Sequence, residues 1–461
     1  MVNRQLCEKL LKTALSKGGE YADVYFEYKK PLTIELEDNK IEKISQGIES
    51  GVGIRLIFNK KTAYAYTNDI SKDNLIETAL SLTHAVRGSQ SLEAVINLKK
   101  QKPNMIYTIK QKPDTVAVDD KIAFLSKCNN KVRARDLKIR QVKAMYSELI
   151  KNVAIANSDG AYCEDERVYT LFTINVIAKE GAVIQTGFES LGGLCGYELI
   201  EDNDTEELSL KAANRALMML KAPYIKGGRM PVVISSQAGG TMIHEAIGHG
   251  LEADYALEGL SVYSNKKGQA VASKYVTVID DGTIENKRGS SQFDDEGNPT
   301  QRNVLVEEGI LKQYMYDKLS ALKDGSNPTG NGRRQSYESK PIPRMTNTYL
   351  ASGALMPDDI VKSVDNGLFV KKMGGGQVNP VTGDFVFDVQ EGYMIKKGQI
   401  AEPVRGATLS GNGPKVLKEI DLIGNDLGFS IGVCGKDGQG VPVTDALPTI
   451  RIPDIVVGGK S

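Results

Sequence analysis

Glycine-rich segments recur through the second half of the sequence, and short apolar runs separate them. They are TGNGRR at 329–334, GGGQV at 374–378, GATLSGNG at 406–413 and CGKDGQG at 434–440. Glycine at this density serves tight turns, bulges and close approach between backbones. The pattern predicts that residues 223–461 form a β-rich domain, barrel-like or sandwich-like, with few helices.

The first half alternates helical and extended patterns, which predicts an α+β domain over residues 1–222. Alternating apolar and polar residues predict strands at Tyr21–Lys29 and Leu32–Leu36, and a helix follows at Ser71–Val86. A charged stretch, 99–112, which contains Pro103 and is followed directly by Pro113, offers a division into parts 1–100 and 113–222. The whole chain is therefore expected to be α+β, with antiparallel strands and helices in the N-terminal half.

Charge balance, hydropathy and cysteine usage limit the classes of binding partner and the cellular compartment that we expect for this protein. Lysine plus arginine and aspartate plus glutamate both total 58, so the chain lacks the broad positive field that nucleic acid or anionic membranes require. No stretch approaches the roughly 20 apolar residues of a membrane span, and the amino terminus is typical of an amphipathic helix rather than a signal peptide. Five cysteines without a CxxC pair argue against a disulfide framework. We therefore expect a cytoplasmic protein with free thiols.

One helical segment carries the chemistry. The chain has only three histidines, and two of them frame the motif His244-Glu245-Ala246-Ile247-Gly248-His249. Neutral imidazoles are good zinc ligands, and zinc with an open position activates a water molecule. The carboxylate of Glu245 could then act as general base, as in related H-E-x-x-H helices. The motif predicts a zinc-dependent metallopeptidase; the alternative is a pair of histidines satisfied within a packed helix.

The spacing of the two histidines predicts a distorted helix. Each residue of an α-helix turns about 100°, so side chains five apart differ by about 140° and could not share one metal. A single-turn π-bulge would restore a common face, and Gly248 suits such a distortion. We therefore expect an i→i+5 hydrogen bond, or an early helix end, between Thr241 and Leu251.

The third zinc ligand is open from the residues alone. Glu252 and Asp254 follow the motif directly, whereas Cys434 is a distant candidate on a strand edge that runs into a glycine turn. Thiolate is the stronger zinc ligand of the two types. The third histidine, His84, lies on a separate helix, and we expect a structural or solvated role for it.

Several ordered motifs carry a resemblance to a known family. HEAIGHGLEAD, FDDEGNPTQ, NPTGNGRR, PRMTNTYL, GGGQV, GATLSGNG and VCGKDGQ together resemble the zinc-bearing members of the TldD/PmbA peptidase family, densely from Pro231 to Gln439. The resemblance implies zinc on His244, His249 and Cys434, with Glu245 as catalytic base. It also implies cleavage of unfolded or extended peptides, and pairing with a homologous PmbA/TldE-type subunit as a heterodimer, with a homodimer as the alternative.

A second function class is open from the sequence. The chain could be a peptide-binding or assembly subunit with a purely structural zinc, although such a site normally closes with four protein ligands and needs no adjacent Glu245.

Other polar residues have two interpretations each. Asp294-Asp295-Glu296-Gly297 is typical of a hairpin turn rather than of a calcium loop. Three arginines could bind a peptide carboxylate or pair with internal acids: Arg333, Arg334 and Arg344.

Overall fold

The computed structural model describes residues 3–86 and 95–459, and its N-terminal half is α+β. The helices of this half are α1 Arg4–Ala14, α2 Lys72–Leu82, α3 Val118–Arg133, α4 Glu198–Glu201 and α5 Thr205–Lys221. Its strands are β1 Tyr21–Glu37, β2 Lys40–Gln46, β3 Glu49–Phe58, β4 Lys61–Thr67, β5 Lys99–Lys100, β6 Ile139–Asn157, β7 Ala161–Glu180 and β8 Val183–Gly193.

These strands form one eight-stranded sheet in the order β4-β3-β1-β6-β7-β5, with β2 added to β1 and β8 added to β7. The two strands expected at Tyr21–Lys29 and Leu32–Leu36 are a single strand, β1, which runs through Pro31. On one side of β1, β3 pairs as far as Lys29 and β2 begins at Leu32. Pro31 lies in the gap between these partners, where its missing N–H costs no hydrogen bond on that side.

The C-terminal half is mainly β, with short helices. The helices are α6 Thr241–Ile243, α7 Ala253–Leu257, α8 Lys318–Asp324, α9 Pro357–Lys362 and α10 Gly413–Glu419. The strands are β9 Gly228–Ile234, β10 Val278–Asp281, β11 Arg302–Glu307, β12 Ile310–Leu311, β13 Gly332–Arg333, β14 Ile342–Pro343, β15 Asn347–Leu350, β16 Asn366–Val378, β17 Asp384–Lys396, β18 Gln399–Val404, β19 Thr408–Asn412, β20 Leu422–Ile423, β21 Gly428–Lys436, β22 Gln439–Leu447 and β23 Ile450–Gly458.

Five of these strands close into a barrel. The pairing runs β16-β9-β23-β19-β17, and β17 pairs again with β16. Closure removes the unpaired edges that an open sheet would present. The barrel-like expectation and the α+β fold class are both confirmed. The segment from Thr241 to Leu251, which carries the two histidines, is called the metal-motif segment below. Its residue Ile247 belongs to the same buried hydrophobic cluster as barrel residues such as Ile234 and Phe387.

A second sheet of the C-terminal half has the order β12-β11-β10-β15-β22-β21. Strand β21, which carries Cys434, therefore lies at an edge and pairs only with β22 on its inner side, from Gly428 opposite Leu447 to Lys436 opposite Gln439. The segment after β21, which begins at Gln439, forms the neighbouring strand. Thus the strand at this edge of the sheet carries the buried thiol of Cys434.

Buried ion pairs join the two halves of the chain. Asp294–Gly297 forms a turn, as expected, in which the Asp294 carboxylate accepts the backbone N–H of Glu296 at 3.0 Å. Glu296 reaches Arg55 of β3 at 2.6 Å, and Asp295 reaches Arg167 of β7 at 2.7 Å. Because all these side chains are buried, the sheet of the first half and this turn depend on each other for hydrogen-bond partners and, between Arg167 and Asp295, for charge compensation.

Among the helices that the structure describes, none combines the length and the apolar composition needed to cross a membrane.

Candidate metal centre

The metal-motif segment begins where two glycines follow strand β9 and a short 3₁₀ turn. Gly239 has φ +77°, a conformation that L side chains rarely adopt, and a Cβ there would meet Ser430 of β21 at 2.2 Å. The N–H of Gly240 donates to the Asp445 carboxylate of β22 at 3.0 Å. The start of helix α6 is thereby anchored on the two strands of the sheet edge.

The helix changes type at the first histidine. Residues His244–Gly248 form a π-helix, in which the N–H of His249 donates to the carbonyl oxygen of His244, and a 3₁₀ turn His249–Leu251 ends the segment. The expected i→i+5 hydrogen bond between Thr241 and Leu251 is confirmed. Because the π-turn holds one additional residue, side chains five apart come to one face. The imidazole ring centroids of His244 and His249 are 5.0 Å apart.

Packing around the π-segment supports its unusual backbone. A Cβ on Gly248 would lie 2.2 Å from the sulfur of Met345, so glycine allows close approach at this position. The hydroxyl of Tyr263 donates to the carbonyl of Ala246 at 3.0 Å, and the hydroxyl of Ser261 donates to the carbonyl of Gly250 at 2.6 Å. These bonds satisfy backbone carbonyls in a region where the regular α-helical ladder is interrupted.

Cys434 lies opposite the two histidines. One potential ligand atom from each of His244, His249 and Cys434 falls within 4.8 Å of the other two. The Cys434 sulfur is 3.6 Å from Nε2 of His249. His244 and Cys434 are 5% and 2% exposed. The structure thus brings together residues 185 positions apart into a compact group of two imidazoles and one thiol, a donor set typical of zinc.

The charges of this group fit a bound cation. Burial alone would raise the pKa of the Cys434 thiol, but His244 and His249 outweigh it and lower the pKa to about 5. The Nδ1 atom of His244 is buried and has no hydrogen-bond partner among the described residues. A thiolate, a neighbouring imidazole pair and an unsatisfied buried nitrogen are the features that a metal ion would compensate.

Glu245 differs from the three donors in its surroundings. It is half-buried, and its carboxylate makes no hydrogen bond or ion pair with another side chain in residues 3–86 and 95–459. Burial raises its pKa, while the two histidines oppose this rise. A carboxylate that has a raised pKa, lies next to the donors and makes no hydrogen bond or ion pair to a described side chain is suited to exchanging protons with a reactant.

The two nearby acids considered as ligands face a different group. The carboxylate of Glu252 lies 3.0 Å from Nδ1 of His249, and Asp254 contacts Nζ of Lys436 at 2.6 Å. Neither acid belongs to the compact donor group formed by His244, His249 and Cys434. Lys436, which sequence reasoning missed, stands between the acids. Its position two residues after Cys434 on a strand was a usable signal, because alternate strand residues share a face.

The three arginines are all buried. Arg344 donates to the backbone carbonyls of Cys434 and Gln439, and Arg333 donates to those of Met345 and Pro442. Arg334 instead pairs with Asp23 of β1 at 3.1 Å. Arg334 thus pairs with an internal acid, which was one of the two interpretations. Arg333 and Arg344 instead donate hydrogen bonds to backbone carbonyls on and around the strand that carries Cys434. His84 is exposed on a 3₁₀ turn of the first half.

A cavity of about 1000 Å³ lies beside the same sheet edge. Its wall includes Phe429, Ser430 and Ile431 of β21, and Gly192 of β8 on the opposite side. Ser430 also hydrogen-bonds to Asp445, the residue that anchors the start of the metal-motif segment. The strand that bears Cys434 therefore also contributes to the wall of this cavity.

Comparison with family models gives matches along the described chain. The PmbA/TldA metallopeptidase C-terminal domain matches residues 227–459, the central domain matches 111–220, and domain 1 matches 22–85.

Individual relatives and structures agree with these models. A metalloprotease TldD homolog of Haemophilus influenzae is 38% identical over 96% of this chain and 93% of its own length. A zinc metalloprotease TldD homolog of Saccharolobus solfataricus is 29% identical over 98% of this chain and 99% of its own. The crystal structure of TldE from Thermococcus kodakarensis has a TM-score of 0.75 at 19% identity and covers 99% of both chains. The last similarity concerns the fold alone.

Proposed function

The chain belongs to the PmbA/TldD family of metallopeptidases, and from this premise we propose that it is a zinc-dependent peptidase that hydrolyses unfolded or extended peptides. The compact group of His244, His249 and Cys434 carries the proposal, because its donor atoms lie within 4.8 Å of one another. The printed name of the Saccharolobus solfataricus relative, a zinc metalloprotease, supports zinc as the metal.

In the proposed site, the two imidazoles and the thiolate hold the ion. A zinc ion held there would supply Lewis-acid chemistry, lowering the pKa of water and polarising a carbonyl group. The thiolate of Cys434 contributes a full negative charge, and Arg344 donates a hydrogen bond to the backbone carbonyl of Cys434. A zinc ion held by only these three residues would have a coordination position left for reactants, as catalytic zinc sites require.

Glu245 is the proposed general base. Its carboxylate takes a proton from the attacking water as a C–O bond forms at the scissile carbonyl, and it passes the proton to the leaving nitrogen as the C–N bond breaks. The raised pKa of this carboxyl group, caused by burial, brings its proton affinity nearer to that required at neutral pH. No covalent enzyme intermediate is required.

The edge of β21 is the proposed substrate platform. An extended peptide can add to an exposed edge through backbone hydrogen bonds, which leaves the side chains free to vary. Phe429 and Val433 of this strand are 37% and 64% exposed, and the cavity beside it has the volume for peptide side chains. A folded protein cannot present such a strand without unfolding locally, so extended peptides are the proposed substrate class.

The proposed setting is the cytoplasm, with a homologous subunit of the PmbA/TldE type as partner. The fold shared with TldE of Thermococcus kodakarensis supports a related chain as partner; a homodimer is the second arrangement. Purification of the untagged chain from its host, followed by mass spectrometry of co-purifying proteins, distinguishes the two.

The decisive test distinguishes zinc binding from proton transfer by Glu245. We expect Glu245→Gln to keep stoichiometric zinc and the wild-type melting temperature, and to lose more than about a hundredfold in turnover of an unfolded peptide. Glu180→Gln is the matched control, because Glu180 is an exposed carboxylate of the first half. If Glu245→Gln cleaves peptides at the wild-type rate, the catalytic proposal fails and a structural zinc in a peptide-binding subunit becomes the better interpretation.

A further inference from the structure

A buried lysine connects the two chain segments that supply the metal donors. Lys436 ends strand β21, two residues after Cys434, and its side chain is 1% exposed. Its Nζ atom lies 3.1 Å from Oε2 of Glu252, which is three residues beyond His249. Lys436 therefore ties the strand that carries the thiol to the segment that carries the second imidazole.

The contact continues to the ring of His249. The same oxygen of Glu252, Oε2, lies 3.0 Å from Nδ1 of His249, while Nε2 of that ring faces the sulfur of Cys434. An ionised carboxylate only accepts hydrogen bonds, so the Glu252 carboxylate favours the tautomer of His249 in which Nδ1 carries the hydrogen and donates it, and Nε2 keeps its lone pair. The orientation of His249 toward the donor group thus depends on where Glu252 is held.

Glu252 cannot be held there without a cation. It is completely buried, and its other oxygen, Oε1, has no hydrogen-bond partner among the described residues. An unpaired buried carboxylate is costly, and Lys436 supplies its compensating charge.

Lys436 is itself fixed by three further contacts. Asp254 accepts from Nζ at 2.6 Å, the carbonyl of Pro343 accepts at 3.1 Å, and the ring centroid of Tyr255 is 4.2 Å away. Asp254 and Tyr255 line a separate cavity of about 280 Å³. The lysine therefore has little freedom to move away from Glu252.

We propose that Lys436 is a positioning residue for the metal site: by holding Glu252 on Nδ1 of His249, it directs Nε2 of that imidazole toward Cys434 and the metal. This inference rests on the proposed zinc site and adds the residue that orients one of its ligands. Outer-shell partners of this kind change metal affinity by about 10- to 100-fold when they are removed.

The test is zinc affinity of the full chain, measured by competition with a chelator. Lys436→Met removes the charge and keeps much of the apolar stem, and we expect its zinc dissociation constant to rise by about 10- to 100-fold. Lys121→Met is the matched control. Lys121 is also 1% exposed and contacts a carboxylate, Glu148, at 2.6 Å, a backbone carbonyl and a tyrosine ring, but in the first half of the chain. Its loss should leave zinc affinity unchanged.

A double-mutant cycle distinguishes positioning from general stabilisation. Glu252→Gln should weaken zinc by a similar factor, and the double variant Glu252→Gln/Lys436→Met should lose no more than Glu252→Gln alone, because Lys436 acts through Glu252. Additive losses, or wild-type affinity in Lys436→Met, overturn the inference. If Lys436→Met does not fold, wild-type zinc affinity in Glu252→Gln is enough by itself to overturn the inference.

The outcome for the unaltered protein separates this inference from the proposed function. If the wild-type chain binds no zinc at all, the proposed function fails. If the wild-type chain binds zinc and Lys436→Met binds it equally well, only the positioning role fails.

Discussion

The backbone N–H of His249 donates to the carbonyl oxygen of His244, five residues earlier in the chain. This one hydrogen bond makes the segment a π-helix, and it places two imidazoles on the same face beside Cys434. A regular α-helix would separate them by about 140°. The spacing of the motif and the helix type are thus two aspects of one requirement, that both rings reach one point.

The structure around Gly248 should be sensitive to the addition of a single methyl group at this position. We expect Gly248→Ala to lower the free energy of unfolding by about 1–3 kcal/mol, because the new methyl group would overlap the sulfur of Met345. Zinc affinity should fall as well, since the π-segment must shift. The losses caused by Gly248→Ala and Met345→Ala should be less than additive in the double variant, because the shorter side chain at 345 leaves room for the new methyl group. Thermal unfolding and chelator competition measure them, and full tolerance of Gly248→Ala would mean that the packing at Met345 does not support the π-segment.

The donor group predicts which residues control zinc content. His244→Ala, His249→Ala and Cys434→Ser should each weaken zinc binding by more than about a hundredfold, beyond the usual effect of outer-shell changes. Serine at the other four cysteines should retain stoichiometric zinc: Cys7, Cys128, Cys163 and Cys195, which are all buried free thiols. Elemental analysis of the purified variants measures this. Normal zinc in Cys434→Ser together with its loss in Asp254→Asn would instead favour Asp254 as the third zinc ligand.

Binding along the edge of β21 predicts a strong preference for unfolded substrates. A compact protein should resist cleavage, while the same protein, reduced or destabilised until it unfolds, should be cut at several sites, because backbone contacts dominate recognition. Gel electrophoresis of matched folded and unfolded forms measures the ratio of rates. Equal rates for the two forms would contradict the edge-strand arrangement.

The buried charges between the two halves predict a pH dependence of stability. Glu296 is fully buried. Burial, together with Asp317, Asp294 and Asp23, raises its pKa to about 8, against the opposing charge of Arg55. In an unfolded chain the pKa of glutamate is about 4. Between these two pKa values the folded chain binds one more proton than the unfolded chain, so the free energy of unfolding falls as the pH rises through that window, by at most about 1.4 kcal/mol per pH unit.

The variant Glu296→Gln tests this dependence. The amide keeps the shape and cannot ionise, so its melting temperature should fall less than that of the wild type between pH 6 and pH 8. Glu180→Gln, at an exposed position, should follow the wild type. Parallel pH profiles for wild type and Glu296→Gln would show that the carboxyl group of Glu296 does not titrate in this range.

Local pattern determined a large part of this protein. Alternation and glycine spacing predicted the α+β halves and the barrel-like second half, because strand and turn preferences depend on neighbouring residues. The motif spacing predicted the π-turn between Thr241 and Leu251, because α-helix geometry is known in advance. The fusion of two expected strands into β1 across Pro31 could not be predicted, since it depends on where the distant strands β2 and β3 begin and end.

Only the tertiary structure decided which residues meet. From the residues alone, Glu252, Asp254 and Cys434 all stayed open as candidates for the third donor, and family resemblance favoured Cys434. The fold brings the thiol to the histidines and turns Glu252 toward Nδ1 of His249 and toward Lys436. Contacts between residues so far apart in sequence arise from sheet pairing and packing of whole elements, for which short-range periodicity carries no information.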